Sequence, residues 1–250
     1  MPTLLNFIPV EQDIEKLTLD IFFSGNAGRI QGKYYAQKNK TSPSVIIVPP
    51  DPRYGGNLDN KIVEETANTF IKCGFSVLRI NYRGIDKSEG TFTCKEDAIF
   101  DTSVAIDWLH EQNEESSHFW LVGYSFGAYV AGNVMMRRPE IETFVLISPL
   151  LNKYNFSFIS PCLASGAIII GENDDFTTIE DAEKLVTKMN ESELFNTQLI
   201  TIPEANHLYK NCIGKLCNEL EIYINIKLAT RVAKPVRKKR RRRKKKDSIF

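Results

Sequence analysis

Three residues of this 250-residue chain have the types and the order needed for nucleophilic acyl transfer: Ser125, an acid at Asp174 or Asp175, and His207. A serine hydroxyl is a weak nucleophile near neutral pH. It needs a base within hydrogen-bond reach, almost always a histidine, and an anionic group to orient that base. Ser125 lies in Gly123-Tyr-Ser-Phe-Gly127, after the apolar run FWLV and before the small residues Ala128, Ala131 and Gly132. This is the pattern of a tight strand-to-helix turn that exposes the serine at the carboxyl edge of a sheet. By itself the pattern is weak: with Gly and Ser each near 7% of residues, G-x-S-x-G occurs by chance in about one chain of this length in ten.

The partners make the chance explanation poor. Of the three histidines, His110 falls at the end of a predicted helix. His118 starts the serine's own strand, and residues at about 3.3 Å each separate it from Ser125. Only His207, in the polar turn EANH after the strand QLITIP, falls at the carboxyl edge. Upstream, GAIIIGENDDF puts Asp174 and Asp175 just past another apolar strand, and the order Ser, acid, His is that of the nucleophile-elbow hydrolases. Asp174 is preferred and Asp175 is the second choice, since loop register is not fixed by the residues alone. A tetrahedral intermediate also needs N–H donors. Phe126 supplies one; the loop Pro49-Pro-Asp-Pro-Arg-Tyr-Gly-Gly56 supplies the other through Asp51 or Arg53, because proline has no N–H. Tyr54 and Phe176, with Phe156 and Phe158, are candidate pocket residues, although aromatic side chains are more often plain core.

The elements that must position these groups follow from hydropathy. Leu17 to Ser24 and Arg29 to Ala36 alternate around Gly25-Asn-Ala-Gly28 as an antiparallel hairpin does. Ser44 to Val48 is continuously apolar, as in a strand covered on both faces. Thereafter strands over 76–81, 119–122, 143–148, 167–170 and 197–202 alternate with helices over 60–73, 96–112, 126–137, 178–189 and 208–228. This alternation predicts an α/β fold with a mostly parallel sheet and helices on both faces. The connection from Ser148 to Ala167 is too short for a separate lid domain but long enough for a mobile loop.

With these motifs in place the chain resembles the α/β-hydrolase superfamily, and more narrowly small lidless bacterial serine hydrolases related to dienelactone hydrolases and prolyl-oligopeptidase catalytic domains. The resemblance covers residues 20 to 228. It rests on the Pro-rich loop ending in Gly55-Gly56 and followed by Asn60, on Asn81, Arg83, Gly84, Ser88 and Gly90, and on Ser125, Asp174 and His207 in order. It implies an α/β-hydrolase fold, a small ester or thioester as substrate, an acyl-enzyme intermediate and no metal or organic cofactor. The departure is Asp51: relatives often carry histidines at the positions of Pro49 and Asp51. A carboxylate there would oppose an oxyanion unless paired, for instance with Arg53. The alternatives are a small peptidase and a degenerate scaffold that binds an anionic polymer or membrane. Arg83 is expected to be structural, paired with a carboxylate beneath the site.

The net charge of +1 conceals an asymmetry. Residues 231–250 hold 12 Lys+Arg against one acid, leaving 20 basic and 30 acidic side chains in residues 1–230. The expected organisation is an α/β-hydrolase domain over 1–230 and a disordered basic tail over 231–250, because ten adjacent positive charges repel one another and present no apolar face. Such a tail suits a polyanion, either nucleic acid or an anionic membrane surface; no aromatic is interleaved to stack on bases. Its bland counterpart is a solvated arm folding back on the acidic body. The five cysteines show no metal-ligand spacing, MPTLLNFIPVEQD makes a poor secretory signal, and no run is long enough to span a bilayer, so a cytoplasmic protein is expected.

Overall fold

The computed structural model describes residues 17–191 and 194–232; the N-terminal segment and the run of basic residues lie outside the described residues. Eight strands form one sheet: β1 (Thr18–Gly25), β2 (Gly28–Tyr35), β3 (Ser44–Val48), β4 (Ser76–Ile80), β5 (Phe119–Tyr124), β6 (Ile141–Ile147), β7 (Ser165–Asn173) and β8 (Thr197–Asn206). The order is β1-β2-β4-β3-β5-β6-β7-β8. The hairpin joins β4 antiparallel at one edge, and the other pairings are parallel. The helices are α1 (Lys61–Lys72), α2 (Lys95–Gln112), α3 (Phe126–Met135), α4 (Ile179–Met189) and α5 (Ile213–Val232).

The continuous apolar strands are explained by two cores. In β3, Ile46 and Val48 face a layer that includes residues of α2, α3 and α4, while Val45 and Ile47 face α1 and α5. Successive side chains point to opposite faces of a strand, so a strand covered twice has no polar side to show. On the second face Trp120 is closed in by Phe70, Phe75 and Tyr223. Full burial of one such side chain contributes roughly 1.5–3 kcal/mol.

Four expected boundaries are corrected. Strands β7 and β8 run on to Asn173 and Asn206, so the segment expected as the polar turn EANH is strand up to Asn206. The last helix begins at Ile213 rather than near Leu208, because Tyr209 and Asn211 adopt φ of 49° and 62°, outside helical space. It continues to Val232, past the expected helix end at Leu228. The connection from β6 to β7 is no loose flap: its 3-10 turn at Ser157–Ile159 buries Ile159, and Phe156 and Phe158 pack on Tyr129 of α3.

Candidate active site

Parallel registry brings the chemistry-bearing residues to one edge. Tyr124 pairs with Ile147, which puts Ser125 beside Ser148, and Val48 pairs with Gly123, which brings the Pro-rich loop alongside the serine. The extended pairing of Asn173 with Asn206 makes Asp174 and His207 neighbouring strand-end residues. His207 then reaches back across the edge.

Ser125 Oγ is 3.0 Å from His207 Nε2, and His207 Nδ1 is 3.0 Å from both Asp174 oxygens. All three residues are buried. An imidazole held this way can accept the hydroxyl proton through Nε2 while its Nδ1–H donates to the carboxylate. Ser125 has φ 57° and ψ −116°, a conformation costing about 1–3 kcal/mol for a residue with a side chain. The turn is tight enough to need its glycines: a Cβ on Gly123 would lie 2.1 Å from the Gly127 carbonyl oxygen, and one on Gly127 would lie 2.4 Å from that of Val48.

Burial alone would raise the Asp174 pKa. The hydrogen bond and charge of His207, the Phe176 N–H at 2.9 Å and the Ser148 hydroxyl together hold it below the usual carboxylate range. Asp175 is exposed and faces the cleft instead of the imidazole. His110 stacks on Phe119 and His118 precedes β5, at the end opposite Ser125.

Of the two expected loop donors, the Arg53 N–H is already used: it donates to Asp51 Oδ1 at 2.9 Å, capping the 3-10 turn Pro52–Tyr54. That leaves the Asp51 N–H as the loop's candidate beside the Phe126 N–H. The Asp51 carboxylate is buried against the Arg53 guanidinium, with Nη2 at 2.7 Å and Nε at 3.0 Å, and this pairing raises the Arg53 pKa. The charge that would oppose an oxyanion is therefore neutralised within its own loop. Tyr54 is exposed, Phe176 sets its ring edge-on to His207 at 4.7 Å, and Lys153 lies over both aromatic rings. These residues, with Leu150 and Tyr154, line an open cleft of about 530 Å³ above Ser125.

The segment Asn81 to Gly90 is framework. Asn81 accepts from the Leu58 N–H and donates to Gln31 and Asp86; Ser88 accepts from the Gln31 N–H. Arg83 binds Asp101 with Nη2 at 2.7 Å and Asp97 with Nη1 at 3.0 Å, joining the turn after β4 to α2. Sequence reasoning missed three supporting hydroxyls. The Tyr124 hydroxyl donates to the His207 carbonyl, the Tyr209 hydroxyl donates to Ile169, and Ser148, at φ 44°, lies 3.0 Å from Tyr209. Only the place of Tyr124 inside the serine turn gave a signal. Among the described residues no group of three or more His, Cys, Asp or Glu could hold a metal ion.

Fold and site together define an α/β hydrolase. The chain belongs to the X-Pro dipeptidyl-peptidase (S15) family, whose model matches residues 27–199. It is 36% identical over 194 residues to the uncharacterized protein RP471 of Rickettsia prowazekii, covering 76% of this chain and 82% of that one. Among solved structures it is similar to ATU1826 of Agrobacterium tumefaciens, described as an alpha/beta hydrolase of unknown function. The identity is 38%, with 85% of this chain and 97% of that chain covered and a TM-score of 0.81. It shares its fold with XC6422 of Xanthomonas campestris, a serine hydrolase without a lid, at 21% identity, with 84% and 94% covered and a TM-score of 0.74.

Proposed function

We propose that this hydrolase is serine-dependent and cleaves a small carboxylic ester or thioester. His207 takes the Ser125 proton as Oγ attacks the carbonyl carbon, and Asp174 holds the imidazole in the required tautomer and stabilises its charged form. The N–H groups of Phe126 and Asp51 receive the oxyanion. Collapse expels the alcohol or thiol, protonated by His207, and water then attacks the acyl-enzyme by the same route in reverse. The observation that carries this reading is the unbroken line of 3.0 Å contacts from Ser125 through His207 to Asp174. An open cleft of about 530 Å³ suits a substrate of modest size. A fluorophosphonate probe is expected to label the wild type and to leave Ser125→Ala unlabelled; a folded wild type that takes no label would favour the degenerate scaffold.

The family match favours a second reading, a small peptidase acting after proline. The two separate by rate: aryl esters of short acids should be turned over faster than X-Pro arylamides, and the reverse order would move the assignment to peptide bonds.

A further inference from the structure

We propose that the outer face of α5 docks on an anionic membrane, with the charge of the basic sequence that follows the helix supplying the attraction. Ile222 and Ile226 lie one helical turn apart on the exposed side of α5, at 46% and 53% exposure. Ala229 and Thr230 extend the stripe by a further turn. The Thr230 hydroxyl donates back to the Ile226 carbonyl at 2.7 Å, so its polarity is spent inside the helix. The opposite face of the same helix already has its partners, since Leu216, Leu220, Tyr223 and Ile224 are buried in the core. The outer isoleucines therefore contribute nothing to that core.

Charge complementarity identifies the occupant. Directly after this stripe the sequence carries 12 Lys+Arg and one acid in residues 231–250. Glu219, one turn before Ile222, and Glu221 at the stripe's edge bring two negative charges against twelve positive ones. Paired apolar side chains beside a polybasic segment are the two signals that together hold a protein at an anionic bilayer, the first by insertion and the second by attraction to headgroups. Nucleic acid would use the basic residues but would leave Ile222 and Ile226 without a role, and no aromatic in the run offers a base-stacking surface.

Docking there leaves the cleft open. Tyr223 touches Trp120 near the start of β5, whereas Ser125 follows the other end of that strand. The α5 axis, about 30 Å for 20 residues, leads away from the site. The surface thus does not depend on the proposed catalysis.

The full chain should float with phosphatidylcholine vesicles containing phosphatidylserine, should not float with phosphatidylcholine alone, and should be released by high salt. Deleting residues 231–250 should weaken vesicle partitioning by at least about 100-fold. The pair Ile222→Ser and Ile226→Ser, at exposed positions, should weaken it about tenfold while leaving retention on duplex DNA unchanged. Two results would overturn the proposal: undiminished flotation of the isoleucine double variant, or duplex DNA stripping the wild type from the vesicles at equal phosphate concentration. Failure of the wild type to float on anionic vesicles would end it without any variant. Fluorophosphonate labelling of the same samples reports separately on the site.

Discussion

Two arginine–carboxylate pairs in this protein look alike on paper and differ in what surrounds them. Arg83 and Asp101 are enclosed, with side chains at 10% and 1% exposure, and they fasten the turn after β4 to helix α2. Asp51 is also buried, at 8% exposure, but its partner Arg53 is 55% exposed at the mouth of the cleft. Solvent screens the second pair and not the first, so the same ionic contact is structural in one place and a local charge correction in the other.

The sharpest way to break that contrast is to remove a carboxylate from each region and read two properties. Asp174→Asn should keep the fold and lower kcat by about 10⁴-fold, because the amide favours the wrong imidazole tautomer. Steady-state ester kinetics beside a thermal melt would check it. Asp101→Ala should act the other way round, leaving Arg83 buried without its main partner. A loss of about 3–5 kcal/mol in urea unfolding is expected, with residual activity lost only in proportion to unfolded protein.

At the cleft the effects are smaller. Arg53→Gln should reduce kcat/KM about tenfold by uncovering the Asp51 carboxylate beside the developing oxyanion, while costing less than about 1 kcal/mol in stability. Adding Asp51→Asn should restore most of the lost rate, since the offending charge and its counterion are then both gone. Additive losses in this cycle would place the carboxylate outside the oxyanion's field.

Smallest is the effect of pH on stability through Asp174. Its folded pKa is depressed, so its contribution is present above the unfolded carboxylate value of about 4 and is lost as pH falls through the lower folded value. Urea midpoints of wild type and Asp174→Asn should converge on acidification below that value, and a constant gap would assign the difference to packing.

Much of this was legible in the residues because local rules and tertiary packing agree. The hairpin, the doubly covered β3 and the glycine-flanked Ser125 each follow from sequence and appear in place. The carboxyl ends of β7 and β8 were not legible: Glu172, Asn173 and Pro203 to Asn206 carry no strand pattern, and only mutual pairing across an irregular register at Gly171 makes them strand. That pairing is what sets Asp174 beside His207. The Ser148 and Tyr209 hydroxyls come together from residues 61 apart, a contact no local spacing announces. Helix α5 starts late for a related reason, since the positive φ values at Tyr209 and Asn211 belong to the turn that follows His207.

The central claim is that Ser125 carries the acyl group. Rapid quench of the wild type with an activated aryl ester, followed by peptide mass spectrometry, should find the acyl mass on the peptide containing Ser125, together with a burst of phenol matching the enzyme concentration. Ester turnover that survives Ser125→Ala, or an acyl mass on a different residue, would contradict the account.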